Sequence, residues 1–89
     1  MAVFLIERQF ADRLDIDAAA AEGVNIINAE QDVRWLYSFL SADKRKTYCL
    51  YEAPSAEAIR RAAERAGLPA DAIVEMSGKM LPDGSLVGI

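Results

Sequence analysis

The sequence predicts an α+β domain in which a four-stranded antiparallel sheet carries two helices on one face. Three observations lead there. Two stretches repeat their apolar residues at spacings of three and four, and strand-like runs flank both of them. A short polar loop, SADKRK, joins the middle two runs as a hairpin loop would. The chain has 89 residues, enough for a single domain spanning 1–89, since domains typically run from about 50 to 250 residues.

Val3 to Phe10 form the first predicted strand, continuous in apolar residues at first and then alternating with charge. The period then changes. Ile16, Ala19, Ala20, Gly23, Val24 and Ile27 mark a helix of about four turns, with Asp15 or Asp17 as its N-cap. Gly23 within it is expected where helix and sheet approach closely. VRWLYSFL, Val33 to Leu40, is the second strand, and Thr47 to Ala53 the third. Pro54 ends that strand and Ser55 caps the second helix, with Glu57 in the first turn and a stripe of Ile59, Ala62, Ala63 and Ala66. Gly67 closes the helix at the C′ position and Pro69 follows. Ala72 to Met80 read as a fourth strand, and the tail PDGSLVGI adds a turn signal and aliphatic residues.

The order β-α-β-β-α-β is the ferredoxin-like arrangement. Right-handed crossovers place its strands in the order 4-1-3-2 with both helices on one face. No repeat, low-complexity run or linker interrupts it.

The other face of such a sheet reads polar when it meets water. Here it does not. The first strand alternates Phe4, Ile6, Arg8, Phe10 with Val3, Leu5, Glu7, and the third alternates Thr47, Cys49, Tyr51 with Tyr48, Leu50, Glu52. Phe4, Ile6 and Cys49 are assigned to the helix side, because Phe10 and Tyr51 continue those parities. Several large apolar groups then remain on the open face, each worth about 1.5–3 kcal/mol if buried. A second copy packed sheet against sheet, as in dimeric α+β barrels, is the expected cover. The 53% hydrophobic composition points the same way, being above the usual ~45–50%.

Charge and composition exclude other classes. A net charge of −4 lacks the basic stripe that nucleic acid requires. MAVFLIERQF has no basic leading segment and reaches charge too soon for a signal peptide or a membrane span. A single cysteine makes no internal disulfide and no zinc spacing, so a cytoplasmic setting is expected. Cys49, in mid-strand among aromatics, reads as an inert core thiol.

The candidate site is acidic. With the first and third strands expected adjacent and parallel, Glu7 and Glu52 fall at one edge of the open face. Glu75 lies near the start of the fourth strand, and Arg34 and Trp35 near the start of the second. These five residues would form the mouth of an inter-sheet cavity, with Tyr48 further in. The plainer reading is that strand-end glutamates are solvated and that Arg34 pairs with one of them. Trp35 alike serves core or dimer interface more often than a ligand.

IERQF, KTYCLYEAPSAEAI and GLPADAIVE resemble a family of small bacterial proteins of uncharacterised function that includes nickel-binding members. The likeness runs from Val3 to about Met80, and EAPS and LPADAI are its most distinctive parts. It implies a ferredoxin-like fold and a dimeric assembly. It transfers no metal ligand. The chain has no histidine, the side chain best suited to nickel, and carboxylates favour magnesium, calcium or manganese. The residues name no cofactor; a divalent metal held by carboxylates is the candidate, weakly supported by a chain without histidine.

The function read from these residues is that of a small homodimeric binding protein, holding a small molecule or a metal between two sheet faces. The alternative is a cofactor-free isomerase or oxygenase. There Glu7 or Glu52 would shuttle a proton while Tyr48 or Arg34 stabilised developing negative charge. A third reading is an interaction module with no pocket. The sequence contains no nucleophile–base pair, phosphate loop or cofactor motif that would favour the enzyme.

Overall fold

The computed structural model describes Met1–Ile89. Its elements are β1 (Ala2–Gln9), α1 (Ala18–Glu30), β2 (Arg34–Leu40), β3 (Lys46–Ala53), α2 (Ala56–Ala66), β4 (Ala72–Met76), β5 (Lys79–Met80) and β6 (Leu86–Val87). The first four strands to β4 form one sheet in the order β2-β3-β1-β4, which is the predicted 4-1-3-2 order read from the other edge.

One expectation about that sheet is overturned. β1 and β3 pair antiparallel, from Ala2 opposite Ala53 to Gln9 opposite Lys46. The reason is topological. The α1 crossover makes β1 and β2 parallel, and β3, hairpinned to β2, inserts between them and runs against both. Their C-terminal ends therefore lie at opposite edges of the sheet.

Side-chain parity on β1 and β3 follows the sequence. Phe4, Ile6, Cys49 and Tyr51 are buried on the helix side, packed with Val33, Ala53, Ala58 and Ile59. Parity fails on β2, where the register shifts between Trp35 and Tyr37. This bulge at Leu36 turns Trp35, Ser38 and Leu40 to the helix side and leaves Tyr37 and Phe39 on the open face. There the two rings pack edge to face, 5.7 Å apart.

The helices differ in how firmly they are held. In α2, the Ser55 side chain accepts from the Ala58 amide, and Gly67 closes the helix in the left-handed region at φ 69°. Ala58, Ile59, Ala62 and Ala63 are buried against the sheet. In α1, capped by Asp17, only Asn28 is fully buried. Apolar residues surround AAAAEGVNIINAE on all sides, so no single stripe anchors it. Val24 and Ile27 are half-buried, whereas Ala19, Ala20 and Gly23 of the predicted stripe are exposed. A Cβ at Gly23 would meet nothing within 4 Å, so the close approach expected there is absent. No helix is long and apolar enough to cross a membrane.

β4 ends at Met76 rather than Met80. Beyond Ser77 the chain folds back on itself as a two-stranded hairpin, β5 with β6. Gly78 permits this, because a Cβ there would lie 2.8 Å from the Val87 carbonyl oxygen. Gly84, at φ 84°, makes the turn, and Asp83 accepts hydrogen bonds from the Ser85 amide and hydroxyl. These bonds hold the Asp83 carboxyl below its usual range.

Candidate ligand site

Antiparallel pairing of β1 and β3 disperses the acidic cluster that the sequence led one to expect. Glu7 and Glu52 share the open face, but Glu52 stands opposite Val3, four residues from Glu7. At about 3.3 Å per residue they are roughly 13 Å apart along the strands. Each has its own cation: Lys46 Nζ lies 2.8 Å from Glu7, and Arg34 Nη1 lies 3.3 Å from Glu52. Tyr48 is opposite Glu7, with the Lys46 ammonium 5.7 Å above its ring. Glu75 stands opposite Phe4, so it is on the helix-side parity of an edge strand and is exposed. Trp35 is on the helix side as well. Solvent-exposed pairs such as Arg34–Glu52 contribute only about 0–1 kcal/mol. The arrangement offers no acid–base pair across a shared space.

A half-open apolar pocket does exist, on the other side of the sheet. A cavity of about 140 Å³ lies between the sheet and the roof formed by α1 and the segment before it. Its floor carries Arg8, Thr47, Cys49 and Tyr51, with Trp35, Ser38 and Leu40 along one wall; Phe10, Leu14, Ile16, Val24 and Leu68 close it. Trp35 stacks on Tyr51 at 6.3 Å and donates its indole N–H to Ser38 Oγ at 2.9 Å. Of the residues predicted for a site, Trp35 alone lines this cavity. From α1 itself, Val24 is the one residue that lines it.

Arg8 is the unforeseen residue. It is 3% exposed, on the inward parity of Phe4 and Ile6. Its guanidinium donates to the Pro69 carbonyl at 2.5 Å, makes a long 3.5 Å contact with the Tyr51 hydroxyl, and lies 5.8 Å from that ring. No carboxylate comes within 4 Å of it: the ion pairs of the molecule are Arg34–Glu52, Lys46–Glu7, Arg61–Glu57 and Arg65–Glu30. A buried cation without a counter-charge is costly, several kcal/mol before hydrogen bonds offset part of it. Burial pushes the Tyr51 phenol above its ordinary range, with Arg8 pulling the other way, so the phenol stays neutral at pH 7. Asn28, adjoining Tyr51, leaves its buried Nδ2 without an acceptor. The signal for Arg8 was in the alternation of β1, where one charged residue occupies a core position.

The donor set does not suit nickel. No three Cys, Asp or Glu side chains gather within reach of one ion. Histidine is absent. Cys49 is buried with its Sγ 3.5 Å from Thr47 Oγ1, and Glu7 and Glu52 are engaged with cations. Calorimetric titration with nickel is expected to show no stoichiometric uptake at micromolar protein; a one-to-one isotherm with submicromolar affinity would contradict this.

The fold and most of the sequence have known counterparts. Residues 4–76 match the profile of a family described as nickel responsive protein SCO4226-like. The crystal structure of SCO4226 from Streptomyces coelicolor A3(2) superposes with a TM-score of 0.76 at 29% identity, covering 88% of this chain and 99% of that one. No curated protein matches the chain. A profile match over nearly all of the main sheet and both helices, joined to this structural likeness, places the chain in the SCO4226-like nickel-responsive protein family.

Proposed function

We propose that this protein is a non-catalytic, homodimeric binding protein that holds a small apolar molecule in the cavity beneath α1. The observation that carries the reading is that cavity: about 140 Å³, with a wall that is almost wholly apolar. Cavities near 150 Å³ lined by aliphatic and aromatic residues accept benzene-sized molecules. The dispersed glutamates, each held by its own cation, favour binding over proton-transfer chemistry.

Dimerisation is supported by surface left uncovered in the single chain. Tyr37, Phe39 and Val74 on the open face are 47%, 59% and 49% exposed. The accessible surface, 5777 Å², exceeds the roughly 5,100 Å² expected of a folded monomer of this mass. The β5–β6 hairpin bears exposed Met80, Leu86 and Val87, and an isolated two-stranded hairpin is marginal in water. A second copy stacked on the open face, with the hairpins reaching across, would cover both.

Benzene, a neutral probe, tests the cavity. In methyl-resolved NMR, saturating benzene is expected to shift Leu14, Val24, Leu40 and Leu68 and to leave Val74 and Val87 unmoved. Absence of shifts at the cavity methyls would sink the binding reading.

A further inference from the structure

We infer that the natural occupant of this cavity is a neutral alkylated aromatic ring, the ring seated inside and a short alkyl chain lying out over Ile16 and Leu40. Its buried part carries no hydrogen-bonding group. The inference deepens the binding reading above and rests on it.

Six of the twelve lining residues carry a polar side-chain atom, and each of the six has a partner within the protein. Arg8 donates to the Pro69 carbonyl and contacts the Tyr51 hydroxyl. Trp35 donates to Ser38, and the Cys49 thiol lies 3.5 Å from the Thr47 hydroxyl. What faces the space is an almost wholly apolar wall. A hydroxyl, amine or carboxylate brought inside loses its water and gains no partner, which weakens binding. The buried part of the occupant is therefore hydrocarbon.

Size and lining point to a ring. The volume, about 140 Å³, is close to the ~150 Å³ of an apolar cavity that holds benzene. Phe10, Trp35 and Tyr51, three of the chain's seven aromatic residues, line it, and the Trp35 and Tyr51 rings are stacked 6.3 Å apart. An aromatic guest adds ring-to-ring contacts to the gain from burial, which an aliphatic guest of equal size lacks. The mouth carries the apolar surface outward. Ile16 and Leu40 line this half-open pocket and are still 40% and 48% exposed. An alkyl chain leaving the ring covers them, and each buried methylene is worth about fourfold in affinity. Any polar group of the occupant then lies beyond the mouth, in water.

Para-xylene and hydroquinone have nearly the same shape and separate polarity from size. Hydroquinone carries a hydroxyl at each end, so one must enter whichever way the ring docks. Affinities are read from the methyl shifts of Leu14, Val24 and Leu68 in the intact wild-type protein at pH 7. Para-xylene is expected to bind about tenfold or more tightly than reduced hydroquinone, the scale of one buried hydroxyl without a partner. From benzene through toluene and ethylbenzene to propylbenzene, affinity should rise about fourfold per added carbon. Leu40→Ser should flatten that rise, and if this variant does not fold, the wild-type series decides alone. Equal binding of para-xylene and hydroquinone, or a flat wild-type series, would overturn the inference while benzene binding upheld the reading above. An undiminished rise in Leu40→Ser would overturn it equally, by taking the chain off the rim. Exclusion of every probe, benzene included, would overturn the two together.

Discussion

Sedimentation of the intact chain at micromolar concentration is expected to give twice 9.7 kDa, and the Phe39→Glu, Val74→Glu double variant 9.7 kDa. Both residues lie on the open face, Phe39 opposite Tyr48 on β3 and Val74 opposite Leu5 on β1, and both are about half exposed or more in the single chain. Placing one on each edge strand puts four new carboxylates into an assembled interface, two per copy. Each apolar side chain that the second copy buries contributes about 1.5–3 kcal/mol, and an uncompensated carboxylate in the same place reverses that sign. Neither residue touches the core beneath α2, so each copy should keep its fold and its melting transition. An intact chain that sediments as a monomer would remove the dimer, and with it the explanation offered for the exposed hairpin.

The other large effect belongs to the core. Ile59→Ala is expected to destabilise the domain by about 2–5 kcal/mol, the usual range for emptying a fully buried aliphatic site. Ile59 is 0% exposed and packs α2 against Phe4, Ile6 and Tyr51 of the sheet. For a domain of this size that is a fall in Tm of at least about 8 °C. Ile26→Ala is the control. Ile26 is equally hydrophobic but 57% exposed on α1, and its loss should change stability by less than about 0.5 kcal/mol. Urea unfolding of the two variants would show the contrast. Equal losses would mean that α1 is packed far more firmly than its burial indicates.

That contrast between the helices marks where the sequence was informative. AEAIRRAAERAG has an apolar stripe between a serine cap and a glycine stop, and α2 follows both caps and buries Ile59, Ala62 and Ala63 of that stripe together with Ala58. AAAAEGVNIINAE has helical propensity without a preferred face, so its existence was legible but its seating was not. The seating of α1 is a tertiary outcome, and so is the cavity.

The acidic residues teach the same point differently. Alternation on β1 and β3 correctly placed Glu7 and Glu52 on the open face, because period two is a local property of a strand. Which ends of the two strands meet is not local. It depends on how the α1 crossover and the β2–β3 hairpin combine, and the antiparallel result pairs Glu7 with Lys46 and Glu52 with Arg34. The bulge at Leu36 likewise needed the sheet, since a single extra residue puts Trp35 and Tyr37 on opposite faces.

By itself the sequence determined the element order, the helix caps of α2, the inward parity of β1 and β3, and an open face too apolar for water. All of these follow from spacing along the chain and from the chemistry of neighbouring residues. Tertiary structure decided the rest: the separation of the glutamates, the hairpin beyond Gly78, and the cavity with Arg8 at its floor. These depend on which distant segments share a volume. The charge of Arg8 was written among Phe4 and Ile6 from the start, but only the packed sheet shows that no carboxylate comes to meet it.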